Sequence, residues 1–364
     1  MGENVMALLA LALIPGVGRM TIRRAREGDR AIDFTCLSAH EIQAELTVTP
    51  AIAARIKNEF SLQKAQRHYE SCQKNSIEIL AYDDERYPDL LRDIPDPPEI
   101  LYAAGNLYML LNPAIAIVGT RTPTVYGKNI AYNFGKELSE KGCAVVSGLA
   151  RGIDGEAHRG ALAGVGKTIA VLGCGLDQFY PRENKALAME IKEKGLMISE
   201  YPPGTQPKKG FFPERNRLIS GLSLGTIVVE AASRSGSLIT SDMAADQGRD
   251  VFAVPGSIHS PKSAGCHYLI QQGAKLVQTI YDVLEEYPHL MLIGKNRESP
   301  KVEFQLTMDE ALLLQTIPYE PVSYEDVEKN STIPSSHLPY LLLSLQVKKC
   351  ITQTPGPTYM KIRE

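Results

Sequence analysis

The stretch FFPERNRLISG, residues 211–221, with the KKG before it, gathers Lys208, Lys209, Arg215 and Arg217 around the single carboxylate of Glu214, a net charge of +3 over residues 208–217. Phe211, Phe212 and the amide of Asn216 lie among the cations. Cations neutralise phosphates and flat rings stack on unpaired bases, so this interleaving suits a single-stranded nucleic acid. One ring is expected to face the core and Arg217 to serve the interior through an ion pair, leaving Lys209 and Arg215 to meet the ligand.

Four other turns carry polar groups at spacings that could hold an anion. In GTRTPTVYG, Gly119 permits a sharp turn, Arg121 is a bidentate phosphate donor, and a helix starting near Tyr126 offers unpaired N–H groups; Thr120, Thr124 and Gly127 are candidates for phosphate binding or loop shaping. The spacing is not GxGxxG, and no carboxylate suited to a ribose follows the next strand. In SGLARGIDGEAHR, Ser147, Gly148 and Arg151 are further candidates, and Asp154 and His158 share a helix face. That pair is either a base with its orienting group or an intrahelical contact, and without a nucleophile Asp154 is expected to pin Arg151 or a glycine-loop amide. In GCGLDQFYPREN, Gly173 and Gly175 flank Cys174, and Asn184 is placed to cap a helix or to bond a sugar or base. The turn Ser235-Gly236-Ser237 opens a hydroxyl-capped helix suited to a phosphate, and Glu230 just before it could instead grip a ribose.

The elements that position these turns follow a regular rhythm. Apolar, β-branched runs at 114–119, 144–148, 168–173, 196–201, 226–231, 251–256 and, more weakly, 274–278 alternate with amphipathic segments. Continuous apolar strands with helical crossovers define an α/β fold with a parallel or mostly parallel sheet, whose ligands sit beyond the carboxyl ends of the strands. The expected organisation is a helical domain over 1–80 built around the helix-PGVG-helix of residues 5–18, a proline-rich ordered connector over 81–110, the sheet domain over 111–288, a linker over 289–305, and a C-terminal domain over 306–364. Three helices and two strands meeting at Pro355-Gly356 suggest a winged helix there, yet its expected recognition segment, 335–346, contains no Lys or Arg. The PGVG turn could expose the amides of Gly16 and Gly18 to a phosphate or serve only packing.

With 39 Lys plus Arg against 42 Asp plus Glu, the formal charge is -3, so a polyanion must be held by a local patch. Six scattered cysteines without a C-x-x-C pair argue against a zinc ribbon or disulfide scaffold and fit a reducing cytoplasm. Stable membrane insertion is not expected, nor is any metal or cofactor. Two other classes stay open: a nucleotide- or nucleoside-processing enzyme, and a protein-interaction adaptor.

The blocks YPDLLRDIPDPPEILYAAGN, GTRTPTVYG, SGLARGIDGEAHRGAL, LGCGLDQFYPRENKAL, FFPERNRLISGLS and EAASRSGSLITSDMAADQGRDVFAVPGS, in this order, resemble the DNA-processing protein A family, also called Smf. The resemblance implies a non-catalytic, extended Rossmann-like domain that holds single-stranded DNA, a helical domain like a sterile-alpha-motif fold, a winged-helix domain, and homodimerisation. It implies protection of incoming DNA in natural transformation and loading of the RecA recombinase, on DNA that single-strand-binding protein also coats. It carries DNA contact to Arg121, Lys209, Phe212, Arg215, Asn216 and Arg217. Thr124 stands where the family often has serine, which keeps the hydroxyl.

Overall fold

The computed structural model describes residues 2–28, 34–288, 290, 306–348, 350–354 and 356–362. The linker expected over 289–305 lies almost wholly outside them. Five helices open the chain: α1 Glu3–Ala12, α2 Arg19–Glu27, α3 Ala39–Leu46, α4 Pro50–Glu59 and α5 Leu62–Lys74. The last three start on side-chain caps: Ser38 and Glu41 form a capping box before α3, and Thr49 and Ser61 accept from the third residues of α4 and α5.

A sheet of nine strands follows: β1 Glu78–Ala81, β2 Ile100–Gly105, β3 Ala114–Val118, β4 Ala144–Ser147, β5 Thr168–Leu172, β6 Leu196–Ser199, β7 Gly225–Val228, β8 Asp250–Ala253 and β9 Lys275–Leu276. Their order is β1-β2-β6-β5-β4-β3-β7-β8-β9, and β6 through β9 run parallel. The seven expected strands are all present. β1 and β2 are additions, both antiparallel: β2 lies in the segment expected as a proline-rich ordered connector, and β1 begins inside the segment expected to be helical. The cause is local. Pro97 and Pro98 end before Ile100, so ILYAAG is free to pair.

The crossovers are α7 Val125–Glu140, α8 Ile153–Ala163, α9 Lys185–Lys194, α10 Phe211–Gly221, α11 Gly236–Asp246 and α12 Ala264–Gln271; α13 Ile280–Leu284 follows β9, and the short α6 Asp89–Arg92 precedes β2. β3 is buried along its whole length, and its alternate residues serve two cores. Ile115 and Ile117 pack with α7, α8 and α13, whereas Ala116 and Val118 pack with α10 and α12. The crossing of α7 and α8 is a backbone contact, since a Cβ on Gly160 would stand 1.9 Å from the Tyr132 carbonyl oxygen. That contact fixes the start of α8, and with it the loop after β4. The N-terminal helices share a continuous apolar cluster with β1, β2, β5 and α9, so they pack on the sheet. Arg26 fastens them, pairing with the buried Glu99 at 2.6 Å and lying 4.0 Å from the centre of the Tyr82 ring.

Residues 308–361 form α14 Met308–Thr316, β10 Val322–Ser323, α15 Tyr324–Asn330, α16 Leu338–Val347, β11 Ile351–Thr354 and β12 Thr358–Lys361, with sheet order β10-β12-β11. Glu310 of α14 accepts from Lys348 and Ser344, which holds its carboxyl down at about 2 and ties α14 to α16. Among the described residues no disulfide joins the six cysteines, and no helix is long and apolar enough to cross a membrane.

Candidate nucleic-acid interface

From β3 the chain adds β4, β5 and β6 on one side and then returns to lay β7 on the other, so strand order reverses between β3 and β7. Open α/β sheets bind ligands at such a reversal. Here that crevice is filled from within. The buried carboxylate of Glu230 accepts from the Thr124 amide at 2.9 Å and from the Thr124 hydroxyl, while the Glu230 carbonyl accepts from the Thr120 amide at 2.7 Å. Thr124 also caps α7 by accepting from the Gly127 amide, and a Cβ on Gly127 would be 2.4 Å from a Glu230 oxygen. The anion site expected at the start of α7 is therefore occupied by the protein's own carboxylate. Thr120, Thr124 and Gly127 shape the loop, Gly119 gives room to Ile153, and Glu230 is a clamp and no ribose ligand.

The loop after β4 is internally satisfied in the same way. Asp154 accepts from the amides of Gly148 and Ala150, the glycine-loop contact expected of it, and burial pushes its carboxyl up. His158 does not face it as a catalytic partner. Thr168 donates its hydroxyl hydrogen to the Val145 carbonyl, so it must accept from His158 Nδ1–H at 2.6 Å, while Nε2 accepts from the Leu149 amide at 3.2 Å. The ring is thus neutral and fully used, and burial holds it down at about 3. Asn184 is buried and donates to the carbonyls of Leu149 and Ala150, which corrects its expected role as a cap or base contact. Ser147 is also interior, donating to the Ile117 carbonyl, and Arg151 is exposed but paired with Glu183.

The opening segment folds as a helix: α10 begins at Phe211, and Pro213 falls in its first turn, where proline is tolerated. Arg215 and Arg217 consequently turn inward. Arg215 is 5% exposed, donates to the Val171 carbonyl and packs against Gly148; burial pushes it down to about 10, so it stays charged at neutral pH. Arg217 pairs with Glu200 at 2.6 Å, the interior ion pair expected of it. Arg215 was expected to meet ligand, and its side chain lies beneath the surface.

What faces outward is a smaller set. Arg121 and Lys209 are exposed and make no hydrogen bond or ion pair among the described residues, and the same holds for Arg234 on the loop after β7. Both rings are half-buried: Phe211 stacks on Tyr201 with centroids 4.1 Å apart beneath Lys208, and Phe212 lies 5.3 Å from Tyr180 and against Gly173. Asn216 is partly exposed beside them. Gly175 is enclosed by Asp177 and the Pro202 carbonyl, so it shapes the loop. Ser235 caps α11 by accepting from the Ser237 amide, and Gly236 at the helix start is open to solvent. Sequence reasoning missed Tyr180 and Tyr201 as ring partners; each precedes a proline in the turn after its strand.

The fold and this edge define an extended Rossmann-like α/β protein whose nucleotide crevice is closed by a carboxylate and whose strand ends present unpaired cations beside half-open rings. The family model described as DNA recombination-mediator protein A matches residues 78–288, and the chain belongs to that family. It is 45% identical over 239 residues to the DNA processing protein DprA of Bacillus subtilis, covering 65% of this chain and 80% of that one. It is 39% identical to the Smf protein of Escherichia coli, covering 78% and 77% of the two chains. Among solved structures, DNA processing protein A of Streptococcus pneumoniae superposes with a TM-score of 0.68 at 39% identity, covering 79% of this chain and 98% of that one. The DNA processing protein A of Helicobacter pylori, described for its unique single-stranded DNA binding mode, gives 0.53 at 34% identity, covering 58% and 96%.

Proposed function

We propose that the carboxyl edge of the central sheet binds single-stranded DNA with little sequence preference, as a non-enzymatic step in recombination. The observation that carries this is the pairing of two uncompensated cations, Arg121 and Lys209, with the half-buried Phe212, while Asp154, His158 and Glu230 are consumed by loop architecture. Such an edge neutralises phosphates and offers ring faces without an array for reading base edges. Arg215 and Arg217 act from below, setting the pitch of α10 and the local potential.

In equilibrium binding across a salt series, Arg121→Ala and Lys209→Ala each weaken binding to all sequences alike and lower the salt slope by about 0.7. Phe212→Ala loses about 1–3 kcal/mol with the slope unchanged. Wild-type affinity and slope in the two cation variants would remove the edge from the DNA footprint.

The finer role is that of a mediator in natural transformation, a cytoplasmic homodimer that receives incoming single strands and loads the RecA recombinase onto DNA coated with single-strand-binding protein. Family membership supports this role. A dimer is supported by the edge of β9, where Leu276 and Tyr268 on the adjacent α12 are exposed. The C-terminal module, with the helix and strand order of a winged helix, presents Tyr340 and Leu343 on α16 with no cation on that helix, which fits a protein contact better than duplex reading. With the cognate recombinase, the wild type speeds filament assembly and Arg121→Ala is impaired in proportion to its lost DNA affinity; tight binding without acceleration sinks the loading role alone.

A further inference from the structure

The loop after β8, residues 254–263, stands across the sheet from Phe212 at the start of α10: Phe212 lies against Gly173 at the end of β5, and the strand order β5-β4-β3-β7-β8 puts the β3 end that carries Arg121 between them. It is fixed at many points. The Tyr126 hydroxyl donates to the Pro255 carbonyl at 3.0 Å, His267 bonds the Gly256 carbonyl, and the Ser263 amide donates to the Ser260 carbonyl. Lys262 is bound at both ends: its carbonyl accepts from the Ala231 amide, and its ammonium donates to the Thr122 carbonyl next to Arg121. At the tip of this pinned loop Ile258 is 82% exposed, with exposed His259 beside it. Isolated exposed apolar side chains are ordinary on mobile surfaces. A branched one held up by a fixed turn has already lost the freedom that binding would otherwise cost.

We infer that this loop is a second wall of the DNA groove, in which Ile258 acts as an apolar wedge against unpaired bases and Arg234, on the neighbouring loop, takes a phosphate. The inference rests on the single-stranded DNA reading and extends it across the strand reversal. Phe212 lies over the end of β5, against Gly173, and from β5 to β8 lie four strand spacings of about 4.8 Å, so the two walls stand about 19 Å apart with Arg121 between them. Ile258 has no π-face, so its contribution is insertion between bases, which is independent of salt, whereas that of Arg234 is ionic. Each wall then pairs an apolar group with a cation, Phe212 with Lys209 and Ile258 with Arg234.

The test uses the full chain, with Ile258→Ala, Ile258→Asp and Arg234→Ala, titrated with oligothymidylates of about 4 to about 16 nucleotides. The exposed position of Ile258 leaves folding untouched. For the longest oligomer, Ile258→Ala is expected to weaken binding about threefold and Ile258→Asp about tenfold, with the shortest, which engages one wall, unchanged. Arg234→Ala lowers the salt slope by about 0.7, and Ile258→Ala leaves it as it was. If the wild type binds and both Ile258 variants match it at every length, the second wall is overturned and the α10 site stands. If the wild type binds no oligomer, both readings fall together.

Discussion

Glu230→Ala is expected to lower the unfolding free energy by about 3 kcal/mol. The carboxylate accepts from both the amide and the hydroxyl of Thr124, and its removal leaves a part-buried backbone donor without a partner, at a cost of about 1–3 kcal/mol. The start of α7 also loses the negative charge seated on it, worth about 0.3–1 kcal/mol and up to about 2 where it is buried. Urea unfolding gives the difference directly. The sign separates two roles, because a carboxylate kept for catalysis is commonly a stability liability and its removal stabilises, whereas a clamp can only destabilise. The DNA affinity of the folded variant should fall as well, since the turn carrying Arg121 hangs on Thr120 and Thr124. Stability within about 0.5 kcal/mol of the wild type would show that Glu230 does not hold the turn.

The sheet was legible because parallel strands buried on both faces read as unbroken apolar runs, and AIAIV or TIAVL allows no other assignment at that length. β1 was not, since EILA is short and follows directly on a helical pattern. β2 was hidden by the four prolines upstream, which set the character of the segment although none falls inside the strand.

The site was legible in its location and only partly in its residues. Arg121 and Lys209 were placed at the strand ends by the same rhythm that gave the sheet, and both are exposed; Phe212 came from the family resemblance, and its ring is half-buried. Arg215 was misplaced because the run was read by composition. Read with a period of 3.6, Arg215, Leu218, Ile219 and Leu222 form one stripe, and all four are buried. Pro213 is compatible with this helix because in a first turn it costs no hydrogen bond. Glu230 was out of reach for a different reason: its partner lies 106 residues away, and no local pattern states which carboxylate will fill a helix start formed elsewhere in the chain.

The second large effect is one of pH. His158 is buried and neutral down to about 3, so above its ordinary value of 6.5 folded and unfolded chains carry the same charge at this residue. Below 6.5 the unfolded imidazole takes a proton that the folded one refuses, because Nδ1 already donates to Thr168, Nε2 accepts from Leu149, and an imidazolium would be desolvated near Arg215 and Arg159. The contribution is therefore fully present above 6.5 and is lost as pH falls toward about 3, at about 1.4 kcal/mol per pH unit. Glu310, held at about 2, adds a similar loss that begins only below its ordinary 4.5. Burial also lowers His68, which contributes in the same window between 4.5 and 6.5, so it is the difference between wild type and a His158 variant that isolates His158. Urea unfolding of wild type and His158→Gln across that window is expected to give a wild-type slope steeper by about 1.4 kcal/mol per unit, whatever the variant's absolute stability. Parallel slopes would mean that the ring takes a proton in the folded state, and with it that the loop after β4 can open to solvent and hold a titrating base.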